Sequence, residues 1–170
     1  MAERRRGWLE RQRERKAERQ RWREERWEGI QLKSDQAVDL GRVRDLELLF
    51  GALEALPSDA MLYLEGDASH TAQEVQALLD AQAREPELSI AIGTWWPRPK
   101  RWHIPMTPAN LAALREFAGR HASPEMCEHL TVYREGRILL SAHDAGFDHV
   151  LAARDLPAEQ LADLRRRLGS

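Results

Sequence analysis

A chain of 170 residues with a formal net charge of −2 has room for one domain with a substantial core plus an appendage, which excludes two ordinary domains. Its single cysteine, Cys127, excludes an internal disulfide and a Cys-rich zinc module. No run approaches the roughly 18 apolar residues of a membrane span, and MAERRRGWLERQ lacks the apolar stretch of a signal peptide, so a cytoplasmic protein without a membrane partner is expected.

The charge is unevenly placed. Residues 1–33 hold twelve Lys and Arg against seven Glu, and residues 34–170 hold fourteen against twenty-one Asp and Glu, so a head of +5 precedes a body of −7. Such asymmetry marks an interaction arm. Three lysines against twenty-three arginines also fit the codon bias of a GC-rich genome, so arginine enrichment by itself does not identify nucleic acid as the partner.

From Glu3 to about Glu28 there is neither proline nor a β-branched residue, and the good helix formers Arg, Glu, Gln and Ala predict one long helix. Trp8 and Trp22 share a side with Leu9, Trp27 and Ile30 nearby, a stripe too thin to bury the helix in a core. Arg11, Arg15, Arg19 and Arg23 form a continuous ridge beside Glu10, Glu14 and Glu18, with i, i+3 ion pairs worth about 0.2–0.5 kcal/mol each. Residues 1–33 are therefore expected to be a charged, exposed helical arm, and residues 34–170 a single domain.

Val43, Leu46, Leu49, Phe50, Leu53 and Leu56 recur at helical steps before Pro57, predicting a core-facing helix over 42–56. AMLYLEG reads as a buried strand, and Thr71 with Glu74 has the spacing of a capping box opening a helix to about Ala83. LSIAIGTWW reads as the next strand. In TPANLAALREFAGRH, Thr107 is the expected N-cap and Pro108 the first helical residue. HLTVYRE-GR-ILLSAHD-AG-FDHVLAAR has the rhythm of an antiparallel meander, and LPAEQLADLRRRL closes the chain as a helix ending at Gly169. The sum is an α/β (α+β) domain: a mixed sheet of five or six strands with a C-terminal meander and helices packed on it.

Neither phosphate-cradling glycine motif is present, nor a Gly-x-Ser-x-Gly elbow or a His-Glu-x-x-His helix, which removes the commonest routes to nucleotide, serine-hydrolase and zinc-protease chemistry. The loop LEGDASHT lies at the carboxyl end of a strand before a helix, where open sheets hold ligands, and supplies Glu65, Asp67 and His70 as candidate catalytic groups. Turns also favour Asp, Ser and Gly for local reasons, so the same residues read as a helix-capping turn.

In the meander, a turn at Glu135–Gly136 places Glu128 opposite His143, and one at Ala145–Gly146 places Asp148 opposite His143. Glu128, His143 and Asp148 then form a row about 5 Å apart in steps, with room for a divalent ion, although strand-end ion pairs are also ordinary there. The same register puts His129 and His149 on the other face, roughly 9–10 Å apart. No organic cofactor is expected. Glu125 and Glu128 flank Cys127 and disfavour a thiolate, which points to a structural cysteine.

GTWWPRPKRWHIP concentrates Trp95, Trp96 and Trp102 with Arg98, Lys100 and Arg101. Adjacent tryptophans on a strand point to opposite faces, and Pro97 with Pro99 prevents central pairing. The segment is either a surface that stacks a base and meets phosphates, or apolar ground covered by the N-terminal helix or a partner protein. Three functions follow. The preferred one is a non-enzymatic binding or regulatory protein that docks its Arg-rich helix on RNA, a ribonucleoprotein or an acidic protein surface. The alternatives are a small enzyme using the Glu65–His70 loop, and an assembly protein that forms a homo-oligomer through the Trp-bearing helix.

Overall fold

The computed structural model describes residues 12–17, 20, 29–91, 99–143 and 149–169. Six strands form one sheet: β1 (Ala37–Asp39), β2 (Met61–Gly66), β3 (Lys100–Pro105), β4 (His129–Arg134), β5 (Arg137–His143) and β6 (His149–Ala153). Their order is β1-β6-β5-β4-β2-β3, and every ladder is antiparallel. The helices are α1 (Leu46–Ala52), α2 (Gln73–Gln82), α3 (Pro108–Ala118), the short α4 (Ser123–Met126) and α5 (Ala158–Leu168). The α+β class, the strand number and the C-terminal meander are those expected from the pattern of the sequence. Of the N-terminal helix expected over residues 3–28, residues 12–17 are helical and exposed, and the remainder apart from Gln20 lies outside the described residues.

The helices share one face of the sheet. Leu62, Leu64, Trp102, Ile104, Leu130, Val132, Leu140, Val150 and Ala152 meet Leu49 and Phe50 of α1, Val75 and Leu79 of α2, Leu111 and Leu114 of α3, and Leu164 of α5. Each Val, Leu, Ile or Phe among them contributes about 1.5–3 kcal/mol on leaving water, so this layer carries most of the apolar burial. The caps follow the local sequence. Asp45 accepts the Leu48 N–H at 3.2 Å, Thr107 accepts that of Asn110 at 3.2 Å, and Gly169 ends α5 with φ 71°.

Three local expectations are corrected. The Thr71–Glu74 capping box does not form: α2 starts at Gln73 after Ala72, the Thr71 hydroxyl donates to the Asp67 carbonyl, and Glu74 pairs with His121. The strand expected at 88–96 is, in its described part, an isolated bridge between Ile90 and Ile30. The edge strand instead begins at Lys100, just past Pro99, and ends on Pro105; prolines at the ends of an edge strand cost no ladder bond.

The third concerns register. Glu135 and Gly136, with φ 51° and 77°, make the expected two-residue turn, and Tyr133 pairs with Ile138 as that turn dictates. Between Val132 and Tyr133 the pairing shifts, so that Val132 faces Leu140 and Leu139 is the extra residue of a β-bulge. Beyond it Leu130, not His129, faces Ala142. In the next ladder His143 pairs with His149 rather than with Asp148.

Candidate functional site

The bulge decides which side chains gather on the face of the sheet away from the helices. Across β3, β2 and β4, Arg101 partners Glu65, which partners His129; across β5 and β6, His143 partners His149. The His129 and His143 rings, brought level by the shift, lie 5.5 Å apart. The next row along the strands is His103, Tyr63, Thr131 and Ser141. The remaining end of this face is apolar, with Met61, Tyr133 and Ile138 covered by Ile30, Leu32, Leu88 and Ile90.

The polar rows are hydrogen-bonded and mostly withdrawn from water, with Glu65 0% and Ser141 1% exposed. Tyr63 donates its hydroxyl to Glu65 Oε2 at 2.6 Å. Burial first, and then the Glu65 charge, push the Tyr63 pKa up, with Arg101 opposing. The Ser141 hydroxyl lies 2.7 Å from His143 Nε2 and 3.3 Å from the Thr131 hydroxyl. His103 Nδ1 is 2.9 Å from the Tyr133 hydroxyl. Burial, reinforced by the Arg101 charge, lowers His103 to about 4, so its imidazole is neutral at pH 7. Burial likewise raises Tyr133 to about 12, although its oxygen also receives the Glu87 backbone N–H. That leaves the Tyr133 proton for His103 Nδ1 and places the histidine's own proton on Nε2.

The Ser141–His143 contact has the distance of a nucleophile and its base. With Ser141 closed to solvent, the contact gives a buried hydroxyl the partner that burial demands. The chemistry-bearing groups nearer solvent are Arg101, His103, His143 and His149.

The loop after β2 forms a separate set. Asp67 Oδ1 accepts the Ser69 N–H and hydroxyl, both at 2.8 Å, and the Asp67 carbonyl accepts the His70 and Thr71 N–H groups. The Ser69 N–H and then its hydroxyl hold the Asp67 pKa below the ordinary carboxylate value, and His70, 3.5 Å away at Oδ2, adds to this. Asp67 and His70 thus belong to a hydrogen-bonded turn, whereas Glu65 belongs to the sheet face.

The other sequence-derived candidates fall as follows. Glu128 precedes β4 and donates its N–H to the Glu65 carbonyl at 2.7 Å; the bulge puts His129 level with His143 in its stead, and Asp148 lies outside the described residues. The expected Glu128–His143 pairing is therefore replaced by one between two histidines. Among the described residues no three His, Cys, Asp or Glu groups gather as metal ligands. Cys127 is fully buried, which with the Glu128 charge raises its thiol to about 12.

Trp102 is 2% exposed, and its Nε1–H donates to Asp80 Oδ1 at 2.7 Å, so it offers no face for stacking a base. Lys100 binds the same carboxylate at 2.7 Å and lies 5.3 Å over the Trp102 ring. Together they hold α2 to β3. Arg101 is exposed beside Glu65, and Arg15 is exposed on the helical stretch 12–17. Arg11, Arg19, Arg23, Trp95, Trp96 and Arg98 lie outside the described residues.

Sequence reasoning missed Tyr63, His103, Thr131, Tyr133 and Ser141. A signal existed: polar groups at alternate positions, 63 and 65, 101 and 103, 129 and 131, 141 and 143, mark one face of a strand. No protein-family model matches the chain, and no curated protein or solved structure matches it.

Proposed function

We propose that the protein is a non-enzymatic binding or regulatory protein whose Arg-rich N-terminal helix docks on an anionic partner: RNA, a ribonucleoprotein or an acidic protein surface. The observation that carries this reading is the separation of charge, +5 over residues 1–33 against −7 over the remainder. Residues 12–17, all exposed and helical, present Arg13, Arg15 and Lys16 against the single acid Glu14. An acidic body repels a polyanion, so attraction must come from the head. Lys100 and Trp102 are left out of the contact surface because Asp80 holds both.

Salt dependence tests the RNA form of the reading. Each phosphate neutralised adds about −0.7 to the log–log slope for single strands and about −0.9 for duplex. Binding should weaken steeply with salt, and changing Arg11, Arg15, Arg19 and Arg23 to Gln should flatten the slope. RNA binding that survives the quadruple change, or that is absent at low salt while an acidic protein is retained from native extract treated with nuclease, would remove RNA as the partner. Of the Glu65–His70 loop that the enzymatic alternative uses, Glu65 is the member favoured, since it is buried on the sheet face while Asp67 and His70 are held in a hydrogen-bonded turn.

A further inference from the structure

At the apolar end of the polar face, where β5 and β6 meet the segment leading into β1, the surface opens into a cleft of about 580 Å³. The volume lies within the range of small-molecule sites, roughly 300–1,000 Å³. Ile138 and Ala153, 6% and 3% exposed, line the cleft from the sheet, and Ile30 and Leu32 line it from the root of the arm, with the neutral amides of Gln31 and Gln36 beside them. The rim carries Arg137, Arg154 and Asp155.

The charges of the rim do not cancel. Arg137 donates to Asp155 Oδ2 at 2.8 Å, which neutralises both. Arg154 has a neutral partner, the Ala37 carbonyl, at 3.2 Å from one terminal nitrogen. A guanidinium has five N–H donors in a planar fork that matches a carboxylate, so among the described residues Arg154 keeps a positive charge without an acidic partner, and spare donors, at the mouth of the cleft. A cation would be repelled there, and a multiply charged phosphate ester would find a single arginine not already paired with an acid, beside largely apolar walls.

We infer that this cleft binds a small amphipathic carboxylate, its apolar body between Ile30, Leu32, Ile138 and Ala153 and its carboxylate on Arg154. The apolar body supplies affinity by leaving water, and Arg154 selects the anionic head and fixes its direction. Because two of the walls belong to residues 29–32, the occupied cleft also fixes the root of the arm.

Calorimetric titration of the full chain with decanoate and with naphthalene-2-carboxylate, aliphatic and aromatic probes of the class, tests the assignment. The expected result is saturable one-to-one binding of at least one probe and binding roughly tenfold or more weaker for decanol, which has the same chain without the charge. Arg154→Gln should reduce carboxylate affinity to the level of the alcohol, and Ala153→Leu should abolish binding by filling the cleft. Arg154 is exposed, so its substitution leaves a folded protein even if Ala153→Leu does not. Amide NMR shifts should centre on Ile30, Leu32, Ile138 and Ala153. Absence of binding of both probes at millimolar concentration, equal affinity for decanol, indifference to Arg154→Gln, or shifts centred elsewhere would each overturn the assignment.

Discussion

His103 makes stability depend on pH between about 6.5 and 4. Its folded pKa of about 4 lies below the ordinary 6.5 because burial and Arg101 oppose its charge. Below pH 6.5 the unfolded chain takes up a proton that the folded chain refuses, so the unfolded state binds more protons and stability falls as pH is lowered. Two proton-binding curves with these midpoints differ by about 2 kcal/mol at pH 5, approaching about 3 kcal/mol below pH 4, and by little at pH 7. Asp39, Asp67 and Asp80, whose pKa values are lowered, act in more acidic solution, where their protonation removes stability. Urea unfolding followed by fluorescence between pH 7 and 5 should show the His103 loss in the native chain. In His103→Gln the fall should shrink by about that amount, on top of a pH-independent cost of about 1 kcal/mol for the altered Tyr133 contact. Parallel pH profiles for the two proteins, or an NMR titration of His103 centred near 6.5, would refute the reasoning.

Three further outcomes are expected. Gly29→Ala would place a Cβ 2.3 Å from the Ala91 nitrogen and 2.5 Å from the Ile90 carbonyl carbon. Backbone cannot yield as a side-chain tip does, so the Ile30–Ile90 bridge should open at a cost of about 1–3 kcal/mol, seen as faster exchange of the Ile30 and Ala91 amides; unchanged exchange would show that the close approach does not persist in solution. Asp80→Ala leaves the Trp102 indole N–H without its acceptor and should destabilise by about 1–3 kcal/mol, whereas Asp80→Asn, which can still accept, should cost less in a matched denaturation series. Thr107→Ala removes the cap of α3 and should cost about 1 kcal/mol in the same assay.

The elements that could be read from the sequence were those whose signals are local. Thr107 and Pro108 opened α3, Gly169 closed α5, and Glu135–Gly136 made the hairpin turn, because each position demands a particular backbone or side-chain chemistry within a few residues. β1 has three residues and no periodicity to detect. β3 was obscured by prolines that look like breakers until the strand is known to be an edge. The register beyond the bulge was illegible for a different reason. Ile138, Leu139 and Leu140 are a continuous apolar run, so alternation says nothing about which of the three is the extra residue.

That one residue determines the composition of the candidate site. In the ladder implied by the turn alone, His129 would face Ala142, and β5 would turn Leu140 and Ala142 toward the polar rows while sending Ser141 and His143 into the helix-packed core. The observed pairing does the reverse: Leu140 and Ala142 join the hydrophobic layer, and Ser141 and His143 meet Thr131 and His129. A buried polar group left without a partner costs about 1–3 kcal/mol. Slipping the strand would therefore strand a hydroxyl and an imidazole in hydrocarbon and set two apolar residues among buried polar groups at once. The polar rows and the bulge stabilise one another, the bulge by placing the side chains and the side chains by penalising any other register. Tyr63 and Glu65 extend the same constraint to β2, where the hydroxyl–carboxylate bond exists only while both residues stay on the face away from the helices. The apolar layer that the helices cover carries most of the burial, and the polar rows add a penalty against the slipped register.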